Sequence, residues 1–340
     1  MSARLGIGIV GLGLAVKPHA LALRDLADKV RVVGGYSPTP ARRHEFAASW
    51  GFPVVDSLDA LLHERAVDAL LILTPPLTHA GLALQAARAG RHVLLEKPVD
   101  VTLPRATAVV DAAEAAGVKL GVVFQFRFRP GARVLRERLA AGALGALLSV
   151  SASLRWWRPP EYYAQPGRGM QARDGGGVLL TQAIHLLDLM LDLAGPAQRV
   201  TAFCRTSPLR TIDTEDVASA AVQFANGAVG VVDATTVAYP GYTERLELAG
   251  TRGSAVLEGE RLTLQIKGMP AEVIDGSTSG GGGADPMAFS HEPHRRLIED
   301  FVDAVRTGRD PMVSGRSALA VHALIDAMLE SSSSGQPVTL

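Results

Sequence analysis

The run Leu5–Val10 passes straight into Gly11-Leu12-Gly13-Leu14-Ala15 and then into a helical stretch ending near Leu26. A short apolar run bounded by breakers predicts a buried strand. Two glycines directly after it permit a tight turn and let the backbone approach a pyrophosphate closely. The alternation then repeats. Further strands are predicted at Val30–Tyr36, 67–73, His92–Leu95 and 119–124, with helices at Pro40–Trp50, Leu58–His63, 78–89 and 103–116. Pro40 suits a first helical turn, and Gly90 and Gly117 suit C-terminal caps. Alternating helices and near-continuous apolar strands specify a parallel, doubly wound α/β sheet. Residues 1–124 therefore read as a Rossmann-type dinucleotide-binding domain, with Gly11, Leu12, Gly13 and Leu14 at the phosphates. The third position of the Gly-x-Gly-x-x-Gly pattern is Val16. That position governs helix–strand packing, so the valine loosens the fit without removing the phosphate site. An ordinary glycine-rich turn is the alternative reading.

At the end of the second strand a site for NAD usually offers an acid to the ribose hydroxyl. This chain has Tyr36-Ser37-Pro38-Thr39 there, followed by Arg42 and Arg43. Hydroxyls and guanidinium groups without an acid suit a 2′-phosphate. Ser37 and Arg42 are therefore candidate cofactor contacts, and the choice between NAD and NADP leans to NADP. The alternative is that both arginines solvate a helix.

A second informative stretch is His92-Val-Leu-Leu-Glu96-Lys97-Pro98. Ligands of open α/β sheets bind beyond the carboxyl ends of the strands, so Lys97 stands at the rim of a ligand crevice. A lysine placed there can titrate, bind an anion or pass a proton.

From residue 125 the alternation stops. A basic amphipathic segment at 130–141 precedes strand-like runs at 147–154, 200–204, Val217–Phe224, 228–236, 245–249 and 254–258, joined by turn signals such as Asn226-Gly227. Such a series argues a predominantly antiparallel sheet with one face free for packing or a partner. Residues 125–340 read as a second, α+β domain, which also suits a chain of 340 residues, long for a single core. Gly276–Ala284 has the composition of a flexible loop, and helices are predicted at Glu292–Thr307 and 315–331. Within this domain, 175–193 predicts a buried helix whose polar residues Thr181, His185, Asp188 and Asp192 share one face. A polar stripe on a buried helix faces a partner or a cavity. His185 is the candidate base, with Lys97 taking that role if burial depresses its pKa, and Asp188 the group that orients the imidazole. A hydrogen-bonded core histidine is the alternative, and Asp192, near the helix end, is expected to be solvated.

Several classes are excluded. Lys+Arg 34 and Asp+Glu 34 cancel, so no nucleic-acid or charged membrane surface is expected. The one cysteine, Cys204, rules out an internal disulfide framework. No apolar run of roughly 18 residues stands out, and the first residues run directly into a strand, so a soluble, cytoplasmic protein is expected. No metal site is expected: His185 and Asp188 lack further ligands at suitable spacing, and His291 and His294 read as surface residues.

The residues Gly11-Leu-Gly13 with His19, Thr74-Pro75 with His79, Gly90-Arg-His92 with Glu96-Lys97-Pro98, and Gly175-Gly-Gly with His185 and Asp188 resemble, in order and spacing, the Gfo/Idh/MocA family of nicotinamide-dependent oxidoreductases. The resemblance spans nearly the whole chain. It implies a small-molecule substrate of the sugar, cyclitol or polyol class and a homodimer or homotetramer formed through the C-terminal sheet. It also implies that Lys97 and His185, one from each domain, act on one substrate hydroxyl. Thr74, Pro75, His79, Glu96, Lys97 and Gln125 fall where the family meets its cofactor. Thr181, Asp188, Arg127, Arg158 and Tyr163 are the candidate substrate contacts. Three departures stand out: Val16, Pro76 where Asn is frequent, and Thr181 where many members carry Asp. Trp156, Trp157, Arg158, Tyr163 and Arg168 suit a sugar face and an acidic or nucleotide-linked substituent, or else a domain or subunit contact. The fold also hosts cofactor-retaining glycosidases and non-catalytic sugar or nucleotide sensors, which are the alternative functions.

Overall fold

The computed structural model describes residues 4–276 and 290–340. The chain forms two compact units, Met1–Gln125 with Ser290–Leu319, and Phe126–Phe289 with Ala320–Leu340. Most of the loop expected to be flexible, 277–284, lies outside the described residues.

The first unit is built on five parallel strands, β1 (Leu5–Val10), β2 (Val30–Tyr36), β3 (Ala69–Ile72), β4 (His92–Leu95) and β5 (Leu120–Val122). Their order is β2-β1-β3-β4-β5, and order reverses beside β1, which defines the switch point where such sheets bind ligands. Every residue of β1 and β3 is buried, as expected for strands covered on both faces. Helix Pro40–Trp50 begins with Pro at its first turn and ends on left-handed Gly51.

One boundary near residue 124 does not describe the division, because residues 290–319 return to the first unit. Helix Glu292–Thr307 packs on helix Val16–Asp25, and polar pairs tie it there. His291 reaches Asp25 at 2.7 Å, and Lys29 donates to Glu299 at 2.5 Å. Just beyond this helix, the Val313 carbonyl accepts the N–H of Val122 at 3.0 Å. Sequence periodicity predicts this helix but carries no information on which sheet it covers.

The second unit holds a nine-stranded sheet. Its strands are β6 (Leu147–Arg155), β7 (Ala197–Arg205), β8 (Val217–Phe224), β9 (Val229–Thr235), β10 (Arg245–Gly250), β11 (Gly253–Glu258), β12 (Arg261–Ile266), β13 (Glu272–Ile274) and β14 (Val338–Thr339). They run in the order β13-β12-β11-β10-β6-β9-β8-β7-β14. All neighbours are antiparallel except β6 and β9, which pair in parallel. Strand β8 alternates buried and exposed along its length, so one face is covered and the other open. Helices Pro130–Ala140 and Ile184–Ala194 pack on the covered face.

The helical span Gln171–Ala194, broken at residues 175–177, has a mean hydropathy of 1.4, enough by length and composition to cross a membrane. That corrects the expectation that no such run exists. Within this window 83% is buried inside the protein, so the core of the second unit uses that apolar surface.

Candidate active site

In the first unit the glycine loop is shaped for a phosphate. Gly11 has a φ of 99°, and a Cβ there would lie 2.8 Å from the Leu73 backbone, so only glycine fits. A Cβ on Gly13 would meet no atom within 4 Å, leaving the open approach that a pyrophosphate needs. Leu12 is buried and Leu14 is 75% exposed, so only the latter presents its side chain to solvent. Val16 is buried at the start of its helix. Together with Gly13, Arg42, Phe46 and Trp50 it lines a cleft of about 230 Å³. Ser37 is buried, its hydroxyl accepting from the N–H of Thr39 at 3.3 Å. Arg43 donates to the Ser37 carbonyl at 2.7 Å and to Asp56 at 3.1 Å, whereas Arg42 is exposed at the cleft. Gln125 Oε1 is a buried acceptor without a hydrogen-bond partner among the described residues. The open approach at Gly13 and this unmatched acceptor both fit a bound dinucleotide.

The loop carrying Lys97 is braced from three sides. Glu96 Oε1 pairs with His19 Nε2 at 2.8 Å, and Oε2 accepts the Lys97 backbone N–H at 3.1 Å. Burial pushes the Glu96 carboxyl up, but the hydrogen bond and charge of His19, with His294 and Lys97, bring it below its ordinary value. His79 is fully buried, with one ring nitrogen 2.8 Å from the Pro98 carbonyl and the other 2.8 Å from that of Thr74. Burial pushes the His79 pKa down despite both carbonyls. Buried Asp100 accepts from Arg105 at 2.5 and 3.2 Å. Glu96 and His79, both expected beside the cofactor, thus hold the loop through hydrogen bonds within the protein. Thr74 is half-buried, its Oγ1 2.7 Å from that of Thr78, and Pro75 is exposed.

A further correction concerns His294, which is buried and meets His19 edge-on at 5.0 Å. His19, Glu96 and His294 bring ligand-type atoms within 4.8 Å of one another. Ligands of a tetrahedral zinc ion lie roughly 3.4 Å apart, given bonds of about 2.0–2.1 Å, so the present spacing suits a hydrogen-bonded cluster better. Three elements remote in sequence build it, which is why ligand spacing could not reveal it.

In the second unit the helix bearing His185 opens with a π turn, Leu179–Ala183, before the α-helix Ile184–Ala194. That turn departs from the 3.6-residue spacing on which the expected polar stripe rests. Thr181 Oγ1 lies 2.6 Å from the Gly177 carbonyl and 2.5 Å from Gln182 Oε1. Phe126 stacks on the His185 imidazole, and the Arg129 guanidinium covers the Phe126 ring 3.3 Å from its centroid. Arg129 is itself paired with Glu244 at 2.6 Å.

Arg127 and Asp188, both expected at the substrate, pair with each other. Arg127 Nε and Nη2 donate to the two oxygens of Asp188 at 2.7 and 2.6 Å, and Nη1 donates to Asp192 at 3.0 Å. Asp192 is not solvated, since Arg136 holds its other oxygen at 2.5 Å. Burial pushes the Asp188 carboxyl up to about 6, against the pull of Arg127. Arg158 is buried over the Trp156 ring, and Tyr163 Oη lies 3.0 Å from Thr236 Oγ1.

Sequence reasoning missed Phe126 and Glu215. Glu215 accepts the backbone N–H groups of Gly177 at 3.1 Å and Leu179 at 3.0 Å, serving as a cap supplied from elsewhere in the chain. The one available signal was the absence of a capping residue before an apolar helix.

A dinucleotide-type sheet with a phosphate-shaped glycine loop, in a chain whose second domain has a buried helical histidine, defines a nicotinamide-dependent oxidoreductase. Residues 5–124 match the oxidoreductase family model with an NAD-binding Rossmann fold, and residues 132–256 match the GFO/IDH/MocA C-terminal domain. The chain belongs to the GFO/IDH/MocA family. It is 30% identical to the inositol 2-dehydrogenase of Rhizobium meliloti, over 95% of this chain and 96% of that one. The WlbA dehydrogenase of Bordetella pertussis, solved with NADH and UDP-GlcNAcA, is 27% identical with a TM-score of 0.86, covering 99% of each chain. A levoglucosan dehydrogenase solved with NADH and levoglucosan, 23% identical over 99% of each chain with a TM-score of 0.90, shares the fold. The protein is thus an oxidoreductase of the sugar- and polyol-oxidising kind.

Proposed function

We propose that this enzyme transfers hydride between NAD(P) and one CH–OH carbon of a sugar or cyclitol, with Lys97 and His185 handling the oxygen of that carbon. The carrying observation is the stack of Phe126 on the buried His185 imidazole, which fixes the plane of a titratable ring. The nicotinamide, when bound, accepts or returns the hydride. His185 takes the hydroxyl proton, and Lys97 hydrogen-bonds the oxygen and stabilises its developing charge. Gly11, Leu12, Gly13 and Leu14 hold the pyrophosphate, with Thr74, Pro75 and Gln125 completing the cofactor contacts. Exposed Arg42, at the rim of the cleft and without an acid at the strand end, supports NADP over NAD. A diffusing nicotinamide pool supports a cytoplasmic location. The open face of the second sheet carries Phe203, 77% exposed, with Val229 and Val231, and supports a contact with a second copy.

The test is a panel of polyols, cyclitols and sugars offered with each cofactor, followed by the absorbance of the reduced nicotinamide. Lys97→Met and His185→Ala are each expected to lower turnover by roughly 10²-fold or more while leaving cofactor affinity near wild type. Near-normal turnover in both variants would sink the assignment.

A further inference from the structure

Arg168 and Arg210 lie in the second unit, where the segment after β6 and the turn after β7 gather guanidinium groups on aromatic rings. Arg168 stands over Tyr162 at 4.9 Å, and Arg210 over Tyr163 at 4.8 Å and Trp157 at 5.1 Å. The two tyrosine rings meet edge-on at 5.0 Å, so the two cations occupy adjoining rings. Elsewhere in this unit buried guanidinium groups face carboxylates closely: Arg127 meets Asp188 at 2.6 Å, and Arg129 meets Glu244 at 2.6 Å. The pattern differs here. Among the described residues no carboxylate comes within ion-pair distance of Arg210, whose Nη2 donates to the Arg158 carbonyl. Arg168 reaches Asp174 only at 3.8 Å, and Asp174 already accepts the N–H of Gly169 at 2.7 Å.

Two donors are left unmatched. Arg168 Nε and Arg210 Nε are buried and have no hydrogen-bond partner among the described residues. A guanidinium N–H can only donate, so each requires an oxygen, and buried donors in folded proteins nearly always have one. Cation–π contacts hold the two planes in place, and Arg168 Nη2 donates to Gln165 Oε1 at 3.0 Å, which leaves the two Nε–H groups. Planar guanidinium edges match the oxygens of a carboxylate or a phosphate.

The location is tied to the proposed chemistry. Gln182 Nε2 donates to Tyr162 Oη at 3.2 Å, and Gln182 lies three residues before His185 on the same helix. A cleft lined by Tyr162, Tyr163, Arg168, Thr181 and Gln182, with Asp174 and Glu215 also in its wall, has about 10 Å³ of free room. That is about the space of one water, so no sugar ring enters it.

We infer that Arg168 and Arg210 receive an oxyanion carried by the substrate, so that the enzyme selects sugars bearing a carboxylate or a phosphate over neutral polyols. The inference rests on the dehydrogenase reading above. The test uses the full chain with hexuronates, hexose 6-phosphates, and the matching neutral hexoses and inositols. At least one acidic compound is expected to exceed its neutral counterpart in kcat/KM by roughly ten-fold to a hundred-fold, the worth of one charge-assisted hydrogen bond. The uronate and phosphate arms separate the two sources of charge. Arg168→Gln and Arg210→Gln are expected to erase the preference through KM rather than kcat. Equal or better use of the neutral compounds overturns the inference and leaves the dehydrogenase standing. If nothing is oxidised, calorimetric binding of an acidic sugar that both variants lose supports the anion site alone. Absence of both turnover and binding overturns both readings.

Discussion

Phe126 lies against His185 with ring centroids 5.1 Å apart and planes inclined by 26°. The phenyl ring cannot exchange a proton, so its effect on catalysis passes through the orientation of the imidazole. Phe126→Ala is expected to lower kcat by roughly ten-fold, within what misplacement of a catalytic group by an ångström or so can cost. The pH profile should keep its shape, because the titrating group is unchanged, and Phe126→Tyr should restore most of kcat. A shifted pH optimum, or no rescue by tyrosine, counts against a positioning role.

Asp188 and Arg127 form a buried pair joined by two hydrogen bonds, with Asp192 as the second anion. Removing one charge from such a pair strands the other in a low-dielectric interior. Asp188→Asn should therefore cost about 3–5 kcal/mol of stability. Denaturant unfolding of this variant reads the loss directly. A loss below about 1 kcal/mol, the scale of an exposed ion pair, would show that water reaches Arg127.

The three glycines before the His185 helix are not equivalent. A Cβ on Gly177 would lie 1.9 Å from the Glu215 carbonyl oxygen and 2.5 Å from its carboxylate. A Cβ on Gly176 would lie 2.9 Å from Leu180 Cβ and 3.0 Å from its Cδ2. Gly177→Ala must shift backbone and should destabilise by about 1–3 kcal/mol, while Gly176→Ala costs less because its overlap is smaller by about an ångström. Thermal denaturation of the two variants compares them, and the reverse order would contradict the close approach to Glu215.

Arg42 is exposed on the cleft beside the glycine loop, whereas Arg43 is committed to Ser37 and Asp56. Arg42→Ser is expected to weaken NADPH binding by about ten-fold through loss of a partly solvated charge-assisted contact, with NADH affected less. Equal weakening of both nucleotides, or a wild-type preference for NADH, removes the case for NADP.

The first unit was legible because its signals are local. A strand, two glycines and a helix occupy about twenty consecutive residues, and Val30–Tyr36 and His92–Leu95 fall on strands with the predicted bounds. Strands β12, β13 and β14 were not anticipated; they are short, and their pairing depends on neighbours brought together by folding. The π turn at Leu179–Ala183 escaped a reading based on a 3.6-residue period. Glu215 and Phe126 were missed for another reason. Each acts on the His185 helix from a distant part of the chain, a relationship that single-sequence periodicity does not encode.

Helix Glu292–Thr307 buries Leu297, Ile298 and Phe301 in the first unit, and ion pairs within the helix and to Lys29 add a pH-dependent share to its stability. Hydrogen bonds from Arg295, then Arg296, hold the Glu292 carboxyl down at about 2, and Lys29 holds Glu299 below its ordinary value. A carboxylate whose pKa is depressed in the folded state stabilises it fully above its unfolded value of about 4.3. That contribution fades as pH falls through the folded value. Amide exchange protection along Glu292–Thr307, corrected for intrinsic rates, should therefore drop between about pH 4.5 and 2, ahead of protection in β1 and β3. Both acids are partly exposed, so added salt at neutral pH should weaken the same attachment. Glu292→Gln and Glu299→Gln should each flatten the acid response of this helix while leaving that of β1 unchanged. A response that stays the same in both variants would assign the attachment to the apolar face of Leu297, Ile298 and Phe301 instead.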